Sequence, residues 1–437
     1  MLFIRSQTLL VSIIVLALAA CSQRSTLSES AVTGPSPQLP DPERRLLPTV
    51  NPAKAIGWPE GQLPIPADGL KVQVYAQNLD HPRWLYVLPN GDVLVAESNA
   101  PADSGGFSGL KGWVAGLIMK RAGAATTSAD RITLLRDSDG DGVVDLRTVF
   151  LEDLYSPFGM ALVGNDLYVA NTDALIRFSY QQGQTRITSP GTTVTRLPAG
   201  ELNHHWTKNV IASIDGERLY VTVGSNSNVG ENGLENEVNR AAILEVNPDT
   251  GDYRVFASGL RNPVGLAWQP QSGDLWTTVN ERDELGDNLV PDYMTAVHDG
   301  DFYGWPFSYF GDNLDPRVTP QRPELVATAV VPDYALGAHT ASLGLAFYND
   351  NRMPQFRNGA LVGQHGSWNR RDRSGYKVIH VPFKEGEPAG QPEDVLSGFL
   401  SEDGEALGRP VGVVVDQSGA ILVADDVGNI IWRVIPE

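Results

Sequence analysis

RPVGVVVDQSGAILVADD (409–426) sets β-branched residues on both sides of an Asp-Gln-Ser-Gly turn, the signature of a β-hairpin. Five further stretches repeat the plan: HPRWLYVLPNGDVLVAES (81–98), SPFGMALVGNDLYVANT (156–172), NVIASIDGERLYVTVGS (209–225), NPVGLAWQPQSGDLWTTVN (262–280) and SLGLAFYNDNRMPQFRNGALVGQ (342–364). Their second strands start near Asp92, Asp166, Arg218, Asp274, Ala360 and Ala420, so one unit recurs with loops of unequal length. Four-stranded units repeated around a channel make a β-propeller, and six copies predict six blades. A β-sandwich or a β-helix would also hold hairpins. The recurring Pro-x-Gly-hydrophobic start favours an all-β, six-bladed β-propeller over residues 51–437.

Composition bounds the chemistry. The chain has 437 residues, and 42% of them are hydrophobic, enough to build a packed core. Lys+Arg 33 against Asp+Glu 52 gives a net charge of −19, which argues against general nucleic-acid binding, because phosphate backbones are held by basic clusters. One cysteine excludes a disulfide framework, a thiolate-held iron–sulfur cluster, a CxxCH haem site and a multi-thiolate zinc site.

That cysteine is Cys21, and it follows Arg5 and the apolar run LLVSIIVLALAA (9–20). The run is short for a membrane span of about 20 residues and reads as a signal peptide over 1–20. Leu18-Ala19-Ala20-Cys21 resembles the bacterial lipobox, in which the cysteine is acylated and becomes the mature N-terminus. Ser22 follows where an aspartate would favour inner-membrane retention, so the resemblance implies a lipoprotein on the periplasmic face of the outer membrane. A soluble periplasmic or secreted protein is the alternative. Residues 21–50, rich in Ser, Thr and Pro, read as a lipidated N-terminus and flexible linker.

Four motifs in order carry a more specific likeness: GLRNPVGLAWQP (259–270), NERDELGDN (280–288), FYGWP (302–306) and GQHGSWNR (363–370). They resemble the glucose/sorbosone dehydrogenase family of pyrroloquinoline quinone (PQQ) dependent enzymes, its L-sorbosone dehydrogenase branch above all. The family fold is a six-bladed propeller, in agreement with the repeat count. The resemblance implies a PQQ- and Ca2+-dependent oxidoreductase acting on a sugar or sugar-derived aldehyde. Electrons would then leave to a cytochrome or quinone partner. Such chemistry needs a base for the hydroxyl proton, an electrophilic acceptor and charge stabilisation on the acceptor oxygen. Cations are needed as well, because PQQ bears three carboxylates.

By the same resemblance His205 in LNHHWTKNV (202–210) matches the general base, and His204 beside it would face the opposite way if the segment were a strand. Arg261 and Asn262 match the pair that stabilises the reducing quinone and contacts the cofactor. Val264 stands where the glucose enzymes commonly carry glutamine. Arg282 and Asp283, preceded by Glu281, fall where backbone carbonyls hold the PQQ-bound calcium. His339 lies near a cofactor-contacting threonine, Arg370 near a carboxylate-pairing lysine, and Arg409 matches one of two late arginines, with Leu407 at the other position. Arg83 is a further motif-borne cation, and Trp368 could stack on a flat cofactor.

A second metal-like motif is independent of these. DSDGDGVVD (137–145) places Asp137, Asp139, Asp141 and Asp145 around a glycine turn and reads as a structural calcium clip joining two blades. Two other functions remain open from the residues. One is a calcium-dependent, lactonase-like propeller hydrolase using His204 or His205, and the other is a non-catalytic binding lipoprotein. Arginines that converge on one mouth would favour the PQQ enzyme over both.

Overall fold

Alternation and turn chemistry produce the hairpins where the sequence places them. The computed structural model describes residues 25, 27–43, 49–101, 116 and 119–437; the expected signal peptide and Cys21 lie outside the described residues. Each of the six quoted stretches forms the two inner strands of one antiparallel sheet. The inner strands are Pro82–Val87, Met160–Val163, Val210–Ala212, Pro263–Trp268, Ser342–Phe347 and Pro410–Val415, here blades one to six. Consecutive inner strands lie side by side, and the sixth packs back on the first. The result is a six-bladed propeller.

The recurring glycine has a steric cause. A Cβ on Gly265 would run into the Leu343 carbonyl, on Gly344 into that of Val411, and on Gly412 into that of Arg83. Each of these glycines therefore lets the next blade's backbone close against its own strand. Ring closure comes from the chain's two ends. Leu70–Gln77 forms the outer strand of blade six, pairing with Ile430–Pro436 in a register that includes Val72↔Val434 and Val74↔Trp432. Between blades the faces are filled by buried apolar residues, among them Trp84, Phe158, Leu343 and Val411 in one cluster and Leu361, Val413 and Trp432 in another.

Every inner strand starts at the end of the ring where its blade's second strand finishes, so the preceding loops and the second-to-third-strand loops share one end, called here the mouth. The 137–145 loop joins the third and fourth strands of blade one and opens at the other end.

One expectation needs correction. Residues read as flexible linker are docked: Thr33–Gly34 adds a fifth strand to blade four, pairing with Leu336 and Ala335. Val32 is buried there, Thr33 Oγ1 donates to Gln391 at 2.9 Å, and Lys377 Nζ pairs with Glu29 at 3.0 Å. Further on, Asn51 N–H donates to the Trp368 carbonyl at 2.7 Å, and Ala55 bridges Ala406. A Ser- and Pro-rich composition reads as linker because it lacks an apolar stripe, yet this strap is held mostly by backbone hydrogen bonds, which leave no composition signal. No helix among the described residues is long and apolar enough to cross a membrane.

Substituting Gly344→Ala forces a methyl against the Val411 backbone and is expected to cost about 1–3 kcal/mol. A urea unfolding series checks this, and an unchanged midpoint would refute the close-approach explanation of the motif.

Candidate active site

The loop 203–209 carries the histidines into the mouth. His205 is half-buried; its Nδ1 lies 2.8 Å from the Ser225 carbonyl and 3.0 Å from Ser225 Oγ. A carbonyl only accepts, so Nδ1 carries the proton and Nε2 is left as the basic nitrogen. Burial first, then the charge of Arg261, holds the His205 ring well below the ordinary histidine range. The neighbouring His204 ring stands 4.7 Å away and edge-on. The expected opposite orientation of the two does not occur, because the segment is a bend, not a strand, and both rings line one cavity of about 110 Å³. Arg83, Trp206, Thr207, Asn262, Val264 and Leu343 complete that cavity.

Asn262 stands close to His205 because Gly224 lies between them; a Cβ there would strike both the Asn262 amide oxygen and the His205 Cβ. The same Asn262 Oδ1 is buried without a partner. Arg83 donates from Nη1 to Asp426 at 2.6 Å, lies 5.9 Å from the Trp206 ring centre and leaves its buried Nε unpartnered. Arg83, read as a motif-borne cation for the cofactor, stands in the cavity of the candidate base.

Arg261 is 2% exposed, so it is no surface ion pair. Its guanidinium is surrounded by acceptors: Glu281 O at 2.8 Å, Asn228 Oδ1 at 2.9 Å, Asn280 O at 3.2 Å and the Asp283 carboxylate at 3.7 Å. The Arg282 side chain, in the loop expected to hold a metal through backbone carbonyls, is a wholly buried strut. It joins Glu281 at 2.9 Å to Asp315 at 3.3 Å and donates to the carbonyls of Pro306 and Ser308.

The expected carbonyl role fails at Asp283. Its carbonyl already accepts Arg317 Nη1 at 2.8 Å and Asn228 Nδ2 at 3.3 Å, so it is committed within the protein. Two side chains at this loop also present oxygen: the Asp283 carboxylate, about a third exposed, and Glu281 Oε1, buried and unpartnered. His339 puts Nδ1 3.0 Å from that Asp283 carboxylate and Nε2 2.9 Å from the Gly286 carbonyl. Burial opposes charge on His339, but the Asp283 hydrogen bond and charge together with Gly286 outweigh it and raise its pKa.

On blades five and six, Arg409 is 1% exposed, sits 4.9 Å over the Tyr376 ring and donates to the carbonyls of His365 and Ala53. The Nε groups of Arg409 and of half-buried Arg370 are buried without partners. Trp368 is half-buried beside Arg370 and accepts the Asn51 N–H through its carbonyl.

Sequence reading missed Asp426, which gathers Arg83 at 2.6 Å, His365 at 2.8 Å and His81 at 3.5 Å. Burial would raise the Asp426 pKa, but those neighbours together hold it well below the carboxylate range, while burial pushes His365 down to about 4. The signal was positional. Residues just past a second strand, such as Ser225, Glu281, His365 and Asp426, all face the mouth.

At the other end, Asp137, Asp139 and Asp145 draw together, whereas Asp141 stands apart and caps the Val143 N–H. The loop belongs to blade one and touches blade six through Gln73 Nε2 to the Gly142 carbonyl and Val144 N–H to the Tyr75 carbonyl.

Comparison with known proteins sets this geometry in context. Residues 160–368 match the family described as Glucose / Sorbosone dehydrogenase, and residues 324–435 match TrAA12-like. That first match falls on the stretch that carries the four quoted motifs and agrees with the resemblance they show. An uncharacterized protein of Borreliella burgdorferi is 29% identical over 296 residues, covering 65% of this chain and 76% of that one. The aldose sugar dehydrogenase YliI of Escherichia coli is 32% identical over 110 residues, 25% of this chain and only 28% of the relative. The holo form of the pyranose dehydrogenase PQQ domain from Coprinopsis cinerea superposes with a TM-score of 0.69 at 21% identity, covering 86% of this chain and 98% of that one, a likeness of fold.

With Nδ1 bound and the ring pushed down, His205 is expected to stay neutral at pH 6 as the Nδ1–H tautomer, and His365 to titrate near 4. Nitrogen NMR of labelled protein reads both. An His205 titration at the ordinary value near 6.5 would contradict the assignment.

Proposed function

We propose that the chain oxidises a sugar or sugar-derived aldehyde at the mouth, with His205 as general base and with PQQ and Ca2+ as cofactors. The carrying observation is that His205, Asn262 and Arg83 share one cavity with Arg261 buried nearby. PQQ, when bound, supplies a two-electron acceptor, and Ca2+ polarises it.

The fit to a tricarboxylate is favourable. Arg83, Arg370 and Arg409 each keep a buried N–H without a partner, and Asn262 keeps a free acceptor. These residues would hold the cofactor, while the side-chain oxygens of Glu281 and Asp283 are the donors a hard cation would take. His205 Nε2 would accept the substrate hydroxyl proton, since burial and Arg261 keep it unprotonated at neutral pH. Arg261 sets a positive field beside it, and its ring of carbonyls fixes that charge in place. Trp206, Val264 and Leu343 give the cavity an apolar wall that limits water.

Sorbosone or another aldose as substrate, a cytochrome or quinone as acceptor, and lipid attachment at Cys21 on the periplasmic face of the outer membrane complete the reading. The lactonase-like alternative gains no support from the acidic loop, because the Asp137–Asp139–Asp145 group opens at the end opposite His204 and His205.

Purified protein supplied with PQQ and Ca2+ is expected to shift the quinone spectrum and reduce a dye with members of a sugar and aldehyde panel. His205→Ala should keep the spectral shift and lose roughly 10²- to 10⁴-fold in turnover. No spectral shift and no turnover by wild type would sink the reading, and full turnover by the variant would remove His205 as base.

A further inference from the structure

The N-terminal strap ends at the mouth. Ser25 Oγ donates to Asn288 Oδ1 at 2.5 Å, in the loop that carries Asp283. Glu43 N–H donates to the Leu285 carbonyl of the same loop at 2.9 Å, and Asp287 ties the loop to the Arg371 N–H at 3.0 Å. Cys21 lies four residues before Ser25 in sequence. Four residues span at most about 14 Å when extended. A lipid held at Cys21 would be tethered within that reach of the mouth.

A second observation points the same way. Among the exposed apolar residues, Val50, Ile56, Tyr155, Leu202, Leu234 and Val238 stand on segments around the mouth, with Val238 at 67%, whereas Ile214, at 79%, and Val143 are exposed at the other end. Val50 and Ile56 lie on the strap over blades five and six, where Ile56 N–H meets the Ala406 carbonyl. Tyr155 and Leu202 precede inner strands, and Leu234 and Val238 follow the second strand of blade three. Beside Ile56, Met119 is exposed next to the exposed Lys120 and Arg121, whose carbonyl accepts the Ala55 N–H. Apolar side chains interleaved with long cations suit a headgroup boundary, where the stems bury and the charges stay wet.

We propose that the mouth end is a bilayer-docking surface, on which the propeller rests with its rim against the membrane that holds its N-terminus. The occupant is a lipid surface. Its reach is fixed by the Ser25–Asn288 contact and its grip by the apolar rim. An acceptor dissolved in that bilayer would then lie near the mouth. The inference rests on the lipid attachment proposed above and is independent of sugar oxidation; recovery of the chain with vesicles reads the attachment, and the pattern of quenching reads the orientation.

The test uses the full-length chain, extracted from membranes and reconstituted into vesicles that carry nitroxide-labelled lipid. Val238→Cys and Tyr155→Cys at the rim and Ile214→Cys at the far end are each labelled with an environment-sensitive dye. Wild type, whose only cysteine is Cys21, serves as the blank. The expected result is loss of fluorescence at 238 and 155 with none at 214. Equal quenching at all three sites, stronger quenching at 214, or a wild-type chain that stays in the supernatant with Cys21 open to label would overturn the proposal.

Discussion

A guanidinium taken out of water must be matched by acceptors, or its burial costs several kcal/mol. Three arginines at this mouth, Arg261, Arg282 and Arg409, are almost fully buried in a chain of net charge −19. Much of the mouth's architecture follows from matching them. Backbone carbonyls of Asn228, Asn280 and Glu281 turn toward Arg261, those of Pro306 and Ser308 toward Arg282, and those of Ala53 and His365 toward Arg409. Carbonyls compensate only in part, so the positive charge persists as a field at the cavity. Burial first, and then the Arg261 charge, holds the His205 ring well below the ordinary histidine range, and the same field would favour an anionic cofactor.

The same matching explains why the insertion between the third and fourth strands of blade four and the N-terminal strap belong to the site. Phe302 bridges Ser258 on blade three, which brings Trp305, Pro306, Ser308 and Asp315 up to Asn228 and Arg282. The strap supplies the Ala53 carbonyl to Arg409 and the Asn51 contacts to Trp368 and Arg371. Asp425 does comparable work from blade six. It accepts Trp58 Nε1 from the strap at 2.7 Å, Trp432 Nε1 at 3.1 Å and the Arg409 N–H at 2.8 Å, so the chain's two ends and the mouth meet on one carboxylate.

What was legible in the residues was what local chemistry encodes. Six hairpins announced themselves because turn residues and β-branched strands act over a few positions, and the glycine after four of the starts, Gly159, Gly265, Gly344 and Gly412, marked the close approach between blades. The motif arginines and His205 were found at the end of the ring where those motifs place them. Less legible was anything set by tertiary pairing. His204 was sent to the wrong face because two neighbours in a bend do not alternate as in a strand. The Asp283 carbonyl was offered to a metal although Arg317, far away in sequence, takes it. Asp426 carried no motif, and only its place after a second strand distinguishes it from the solvated acids. The strap read as linker because backbone hydrogen bonds leave no trace in composition.

The central claim is that the mouth's arginines and Asn262 form a cradle for a flat tricarboxylate quinone. Crystals grown with PQQ and Ca2+ test it directly. The account predicts density for the quinone at the mouth, its carboxylates on Arg83, Arg370 or Arg409 and its ring beside Asn262. A mouth that stays free of quinone under saturating PQQ, or quinone bound at the opposite end, would contradict it.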